Sequence, residues 1–212
     1  MKNNHLFDND LELYREFRHI AGTDEAGRGP LAGPVVCASV ILPIDFYHQD
    51  LNDSKKMSEK KRNELFTIIQ KEAISYQIEI VEAGLIDQLN ILNATLYGMK
   101  KSIEHLHISP DLVLIDGNKI PKDMTLNCRS VIGGDARHAC IAAASVLAKV
   151  SRDQIMDDLD LIYPQYGFRQ HKGYPVPAHL RAIREFGICP DHRRSYKPVS
   201  QMTIEDLKIE TD

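Results

Sequence analysis

Acidic side chains stand where the sequence predicts strands and helices to begin or end. Asp24 and Glu25 end a predicted strand. Asp116 ends a continuous apolar run, and Asp135 follows two glycines at a predicted helix start. In open α/β sheets, ligands gather beyond the strand ends. Buried carboxylates crowded at such a point repel one another, so a hard divalent cation such as Mg²⁺ would offset that repulsion.

Such a group of carboxylates suits phosphodiester hydrolysis. Two divalent ions about 4 Å apart can hold both the attacking and the leaving oxygen, and no nucleophilic side chain is needed. Each carboxylate also has a simpler interpretation. Asp135 could be a helix N-cap, Asp116 could open an ordinary turn, and the other two could be solvated charges. Because strand neighbours face opposite ways, Asp24 and Glu25 share one site only if the strand turns there.

A glycine-rich turn follows the first two acids. Gly27, Arg28 and Gly29 could present backbone N–H groups to a phosphate or a hydroxyl, or could form a plain tight turn. The phosphate-binding pattern G-x-x-x-x-G-K-[ST] is missing, and the spacing does not fit a dinucleotide-binding loop. Pro30 and Pro34 remove N–H donors and stiffen the segment.

Hydrophobic periodicity predicts an α/β arrangement that would position these groups. Strands are predicted at 19–23, 35–42, 76–81 and 112–115, the last buried on both faces. Helices are predicted from Ser58, over 85–107 with a break near 90–93, from Asp135 through the alanine-rich run 139–149, and over 177–186. This order favours a mixed sheet flanked by helices on both faces.

Length and composition favour one globular domain. The chain has 212 residues, of which 43% are hydrophobic. Residues 1–10 are polar, without the apolar stretch of a secretion signal, and no apolar run approaches the roughly 20 residues that cross a bilayer. The four cysteines are scattered, which favours reduced thiols rather than a zinc site. We therefore expect a soluble, cytoplasmic protein.

The distribution of charge is more informative than its sum. The net charge is −4, and residues 1–18 and 203–212 account for all of it. Residues 166–198 carry seven basic residues and only two acidic ones. This segment is either a solvated helix surface or a surface that contacts nucleic acid.

Several segments together closely resemble the type 2 ribonuclease H family, ribonuclease HII. The matching segments are 22–35 (GTDEAGRGPLAGPV), 53–56 (DSKK), 116–118 (DGN), 134–135 (GD), 142–153 (AAASVLAKVSRD), 171–175 (HKGYP) and 192–195 (HRRS). They fall in the family's order and span about residues 18–199. The resemblance implies a ribonuclease H-like mixed sheet with helices on both faces and a C-terminal helical extension.

The resemblance also implies an activity and a set of site residues. The activity is hydrolysis of RNA in RNA–DNA hybrids and incision on the 5′ side of single ribonucleotides in duplex DNA, leaving 3′-hydroxyl and 5′-phosphate ends. The implied catalytic and metal-binding residues are Asp24, Glu25, Asp116 and Asp135, holding two Mg²⁺ or Mn²⁺ ions. The turn Gly27-Arg28-Gly29 would read the 2′-hydroxyl, which distinguishes RNA from DNA. Tyr174 would stack on the next sugar.

Basic and polar residues in the matching segments are candidates for phosphate contacts, although exposed structural charges would look the same. The candidates are Lys149, Ser151, Arg152, Lys172, Arg193 and Arg194. We expect a polar leader at 1–17, a catalytic domain at 18–199 with a helical part from about 160, and an acidic tail at 200–212. We expect a monomer with nucleic acid, and neither a membrane nor another protein, as its partner.

Departures from the family's patterns are few. Val176 stands where threonine is frequent, which puts a hydroxyl contact there in doubt. Arg28 and the short leader argue against the related type 3 enzymes, and type 1 enzymes lack the opening segment. Two other functions remain open at this point. One is a binder of hybrid duplexes that does not cleave them, and the other is a mononucleotide-binding domain that uses the glycine turn.

Overall fold

A mixed five-stranded sheet forms the centre of the protein. The computed structural model describes residues 5–201. The strands are β1 (Ile20–Ala26), β2 (Val35–Ile41), β3 (Ser75–Val81), β4 (Leu112–Asp116) and β5 (Cys128–Val131). Their order in the sheet is β3-β2-β1-β4-β5. β1 pairs antiparallel with β2 and parallel with β4. The parallel pairing brings the C-terminal ends of β1 and β4 to the same edge of the sheet.

Helices cover both faces of the sheet. They are α1 (His5–Leu13), α2 (Glu59–Glu72), α3 (Ala83–Leu89), α4 (Ile91–Glu104), α5 (Ala139–Ile162), α6 (Phe168–His171) and α7 (Pro177–Phe186). Alternation along β2 explains the two cores: Val36 and Ala38 pack with α5 and α2, whereas Cys37 and Ile41 pack with α4. The predicted fold class is confirmed.

The long helix α5 lies unusually close to β1. A Cβ atom added to Gly22 would lie 2.1 Å from the backbone carbon of Cys140, so only glycine permits this approach. The alanine-rich first half of α5 is buried against the sheet. Beyond the sheet, its second half packs with α6 and α7, where Met156, Phe168 and Ile183 form a separate core. This second core is the C-terminal helical extension.

Local sequence predicted one helix start and one helix break correctly. Ser58 caps α2, and its Oγ accepts the N–H of Lys61 at 3.4 Å. The predicted break falls at Asn90, which has a φ of 63°. Its Oδ1 accepts the N–H groups of Leu92 and Asn93, which caps α4.

Three predictions of secondary structure need correction or extension. No helix was predicted before residue 18, yet α1 is present and buries Leu6 and Phe7. β5 was also missed. Asp135 does not begin a helix: it lies in a 3₁₀ turn at Gly134–Ala136, and α5 begins only at Ala139. Most of the predicted acidic tail lies outside the described residues.

Two further observations bear on the predictions from composition. Among residues 5–201, no helix is both long and apolar enough to cross a membrane. All four cysteines are free thiols.

Candidate active site

Three carboxylates meet at the edge where β1 and β4 end. Thr23 pairs with Ile115, so Asp24 and Asp116 occupy the next position on the two parallel strands. Asp24, Glu25 and Asp116 each have an oxygen within 4.8 Å of the other two. The Glu25 side chain lies in the same group as that of Asp24, one residue before β1 ends at Ala26. The structure thus brings together three of the four predicted ligands.

Asp135 lies beside this group but is not part of it. Its 3₁₀ turn is joined to β4 because the Gly134 N–H donates to Asp116 Oδ1 at 2.7 Å. Gly133 has a left-handed φ of 62°, which lets the chain turn before Asp135. The Asp135 side chain is 10% exposed, and its Oδ2 lies 3.9 Å from Lys55 Nζ.

Burial and mutual repulsion disfavour the charged forms of these acids. The pKa of Asp24 is raised well above its usual value by burial, and then by Glu25 and Asp116. Burial likewise raises the pKa of Glu25, although Arg28 opposes this. Burial, Asp53 and Asp116 raise the pKa of Asp135, against the effect of Lys55. Clustered oxygen donors with this electrostatic penalty fit a hard divalent cation.

Lys55 is a part of the site that sequence reasoning missed. Its side chain is largely exposed, and burial would lower its pKa. The nearby carboxylates, led by Asp135 and Asp24, more than offset this and raise the pKa. A lysine in the segment 53–56, which matched the family, was the available clue. Sequence reasoning also missed Ser145. Its hydroxyl forms a hydrogen bond with the Asp24 side chain and lies 2.9 Å from Ser54 Oγ.

A cavity of about 430 Å³ extends from Glu25 along the glycine turn. It is lined by Glu25, Ala26, Gly27, Arg28, Gly29, Ser54, Lys55, Arg62, Ser145, Lys149, Arg152 and Tyr174. Glu25 from the acid cluster, the glycine turn and Tyr174 therefore border one space, although Tyr174 is far from the other residues in sequence.

The turn requires glycine at position 27, whereas a Cβ at position 29 would make only an ordinary contact. Gly27 has a φ of 96°, and a Cβ there would lie 2.0 Å from Arg152 Nε. A Cβ on Gly29 would come within 3.4 Å of the Tyr174 ring. Between them, Arg28 is exposed and its Nη1 lies 3.5 Å from Glu25 Oε1. The turn is thus packed between a buried arginine and an exposed aromatic ring.

The prediction that Arg152 and Arg193 contact phosphate does not fit the burial of their side chains. The two residues are only 1% and 0% exposed. Arg152 donates to the carbonyls of Ala32, Pro34 and Lys172, and Arg193 also donates to backbone carbonyls. These guanidinium groups hold loops in place; Arg152 also lines the cavity, but each of its three nitrogens already donates to a backbone carbonyl.

The other candidate phosphate contacts are closer to the surface. Lys149 lines the cavity and pairs with Asp153 at 2.7 Å. Lys172 pairs with Asp157. Ser151 is half-buried and Arg194 is exposed. Their phosphate contacts stay predictions.

Comparison with known proteins gives a match over nearly the same span as the matching segments. The family model described as Ribonuclease HII matches residues 21–199. A Ribonuclease HII of Endomicrobium trichonymphae is 49% identical over 205 residues, covering 96% of this chain and 97% of that protein. A Ribonuclease HII of Acinetobacter baylyi is 54% identical over 184 residues, covering 85% and 95% respectively.

Among solved structures, the ribonuclease H2 from Pyrococcus horikoshii OT3 has a similar fold. Its TM-score is 0.73 at 24% identity, covering 86% of this chain and 96% of that one. At this identity the likeness concerns the fold alone.

Proposed function

The chain belongs to the ribonuclease HII family and is an endoribonuclease of the ribonuclease H type that acts on RNA–DNA hybrids, and we propose that it also incises duplex DNA on the 5′ side of single ribonucleotides. The products would carry 3′-hydroxyl and 5′-phosphate ends. The observation that carries this proposal is the convergence of Asp24, Glu25 and Asp116 beside a cavity that the glycine turn also lines.

The metal ligands would be Asp24, Glu25, Asp116 and Asp135, with Mg²⁺ or Mn²⁺ as the ion. The oxygen donors and the burial that raises the pKa values of Asp24 and Glu25 support this assignment. When bound, two such ions would activate the attacking water and stabilise the leaving 3′ oxygen. Lys55, close to Asp135, would balance part of the acidic charge.

Recognition of the ribonucleotide would rest on the chain's backbone. The N–H groups of the Gly27-Arg28-Gly29 turn would bind the 2′-hydroxyl, which both donates and accepts hydrogen bonds. Tyr174 is 44% exposed and borders the same cavity, so its ring is available to stack on the adjacent sugar. Lys149, Ser151, Lys172 and Arg194 would contact backbone phosphates and position the duplex.

The catalytic domain would span residues 18–199, with its helical part from about residue 160. We propose that the enzyme acts as a monomer in the cytoplasm. RNA–DNA hybrids and ribonucleotide-containing duplex DNA would be its substrates.

The test uses a labelled DNA duplex that contains one ribonucleotide, with the all-DNA duplex of the same sequence as control. The purified protein is incubated with Mg²⁺, Mn²⁺ or EDTA, and the cut is mapped on a gel. We expect a metal-dependent nick on the 5′ side of the ribonucleotide and no cut in the control. A folded protein that binds this duplex and cuts long hybrids, but leaves it intact, would refute the incision of single ribonucleotides.

A further inference from the structure

The carbonyl groups of the glycine turn accept hydrogen bonds from two residues in the C-terminal part of the chain, Arg193 and Tyr196. Arg193 Nη2 donates to Gly27 O at 2.6 Å, and Arg193 Nη1 donates to Arg28 O at 3.1 Å. Arg193 Nε donates to Gly33 O at 2.9 Å. A second donor, Tyr196 Oη, reaches Arg28 O at 2.7 Å. The carbonyl in the middle of the turn therefore accepts two hydrogen bonds.

Arg152 completes this arrangement from α5. Its Nε donates to Pro34 O at 2.9 Å and its Nη2 to Ala32 O at 3.1 Å. Two buried guanidinium groups thus fix carbonyls at both ends of the loop 27–34. The desolvation that lowers their pKa values, for Arg152 to about 10, is the cost of placing these donors inside the protein.

The direction of these carbonyls decides where the N–H groups point. In a trans peptide the C=O and the following N–H point in opposite directions. When Arg193 and Tyr196 hold the carbonyls of Gly27 and Arg28, the next two N–H groups, of Arg28 and Gly29, point away from them. Both residues line the active-site cavity. The donors are therefore oriented before any substrate arrives.

We propose that Arg193 and Tyr196 are positioning residues that preorganise the turn for the ribonucleotide. This inference rests on the proposed function, in which the turn binds the 2′-hydroxyl. Neither residue touches substrate. They act by keeping the Arg28 and Gly29 N–H groups aimed at one point, so their loss weakens recognition of the ribonucleotide more than it slows the chemical step.

Tyr196 gives a sharper test than Arg193, whose removal would leave buried carbonyls without partners. Tyr196→Phe deletes only the hydroxyl, which donates to Arg28 O and accepts from Arg193 Nη1 at 3.2 Å. The ring, which lies 5.1 Å from Arg193 Cζ, is kept. Tyr14→Phe is a matched control because its hydroxyl donates to a backbone carbonyl, Leu42 O, at a similar 2.9 Å outside the site.

The experiment measures steady-state cleavage of the single-ribonucleotide duplex and amide hydrogen exchange of a peptide covering 27–33, in wild type and both variants. For Tyr196→Phe we expect KM to rise about fivefold with kcat little changed, because one hydrogen bond that orients the turn is lost. We also expect faster exchange in 27–33. Tyr14→Phe should match wild type in both. A purely structural defect would instead lower kcat through a smaller active fraction and leave KM unchanged.

The outcomes separate the two claims. If wild type cuts the duplex but Tyr196→Phe keeps the wild-type KM, the positioning role is overturned while the proposed function stands. Equal losses in both tyrosine variants also overturn it. If wild type cuts no ribonucleotide-containing duplex, the proposed incision fails and the inference falls with it.

Discussion

The Oδ1 atom of Asp116 accepts a hydrogen bond from the backbone N–H of Gly134 at 2.7 Å. This contact joins the end of β4 to the turn that carries Asp135, so one carboxylate both faces the cluster and fixes the position of its neighbour. An asparagine at 116 would keep an acceptor oxygen for Gly134 while losing the charge. The negative charge of Asp116 and its hydrogen bond to Gly134 can therefore be tested separately at this position.

Asp116→Asn should abolish cleavage and leave the fold intact. Losing one charged ligand removes metal-dependent stabilisation of several kcal/mol, so we expect kcat to fall by about 10³-fold. Gel cleavage assays and circular dichroism measure the two effects. Asp8→Asn, the same change on the exposed side of α1, is the control and should cut normally. Wild-type activity in a folded Asp116→Asn protein would refute the ligand assignment.

Asp24→Asn should make the metal-free protein more stable while also inactivating it. Asp24 is 3% exposed, and burial with Glu25 and Asp116 disfavours its charge. Removing that charge relieves the repulsion, for which we expect a gain of about 1 kcal/mol and a rise in Tm of about 2–4 °C in EDTA. Added Mg²⁺ should raise the Tm of wild type more than that of the variant. A lower Tm in EDTA would contradict this account.

Tyr174→Ala should weaken discrimination more than it harms folding. The backbone of Tyr174 is held independently, because its N–H donates to His171 O and its carbonyl accepts from His179 Nδ1, both at 2.9 Å. Loss of the stacking ring should reduce the preference for single ribonucleotides about tenfold. Cleavage rates on single-ribonucleotide and all-RNA hybrid duplexes measure this preference. Tyr174→Phe should behave as wild type, and an unchanged preference in the alanine variant would refute the role.

Local sequence predicted those features that depend on local chemistry. Ser58 and Asn90 cap helices because their side chains bond to N–H groups two or three residues ahead. The apolar run in β4 and the acid at its end were also evident from the sequence, because a strand buried on both faces is continuously apolar.

Features that depend on distant contacts were not predictable in this way. Arg152 and Arg193 lie in basic segments that suggested surface charges, and their burial depends on carbonyls more than 100 residues away in the chain. β5 is only four residues long and half-exposed, so it has no strong periodicity of its own. Asp135 follows a glycine pair and resembles a helix start, but α5 begins four residues later, where α1 holds it.

Stability should fall as the pH is lowered from about 6.5 to 4, because of two buried histidines. Cys189 N–H donates to His192 Nδ1, so His192 Nε2–H donates to His179 Nε2 at 3.1 Å. Burial lowers the pKa of His179 to about 4 and that of His192 to about 3. Both values lie below the unfolded value of about 6.5, so the unfolded state takes up protons first.

The expected slope is up to about 1.4 kcal/mol per pH unit for each histidine. Urea unfolding between pH 7.5 and 4.5 measures it. The Asp24→Asn protein in EDTA is the suitable background, because it lacks one of the carboxyls whose raised pKa contributes a slope of opposite sign. Unfolding free energy that stays constant or rises on acidification would contradict the neutral, buried histidine pair.

Asp10→Ala should destabilise the protein and weaken its response to metal, because α1 holds the segment after Asp135. Asp10 Oδ2 accepts the Cys140 N–H at 2.9 Å, which caps α5, and its Oδ1 lies 2.7 Å from His138 Nδ1. Loss of this cap should cost about 1–2 kcal/mol in urea unfolding. Since the freed segment directly follows Asp135, half-maximal cleavage should need about threefold to tenfold more Mg²⁺. Asp8→Ala, on the exposed face of the same helix, should change neither quantity, and equal effects in both variants would refute the contact's role.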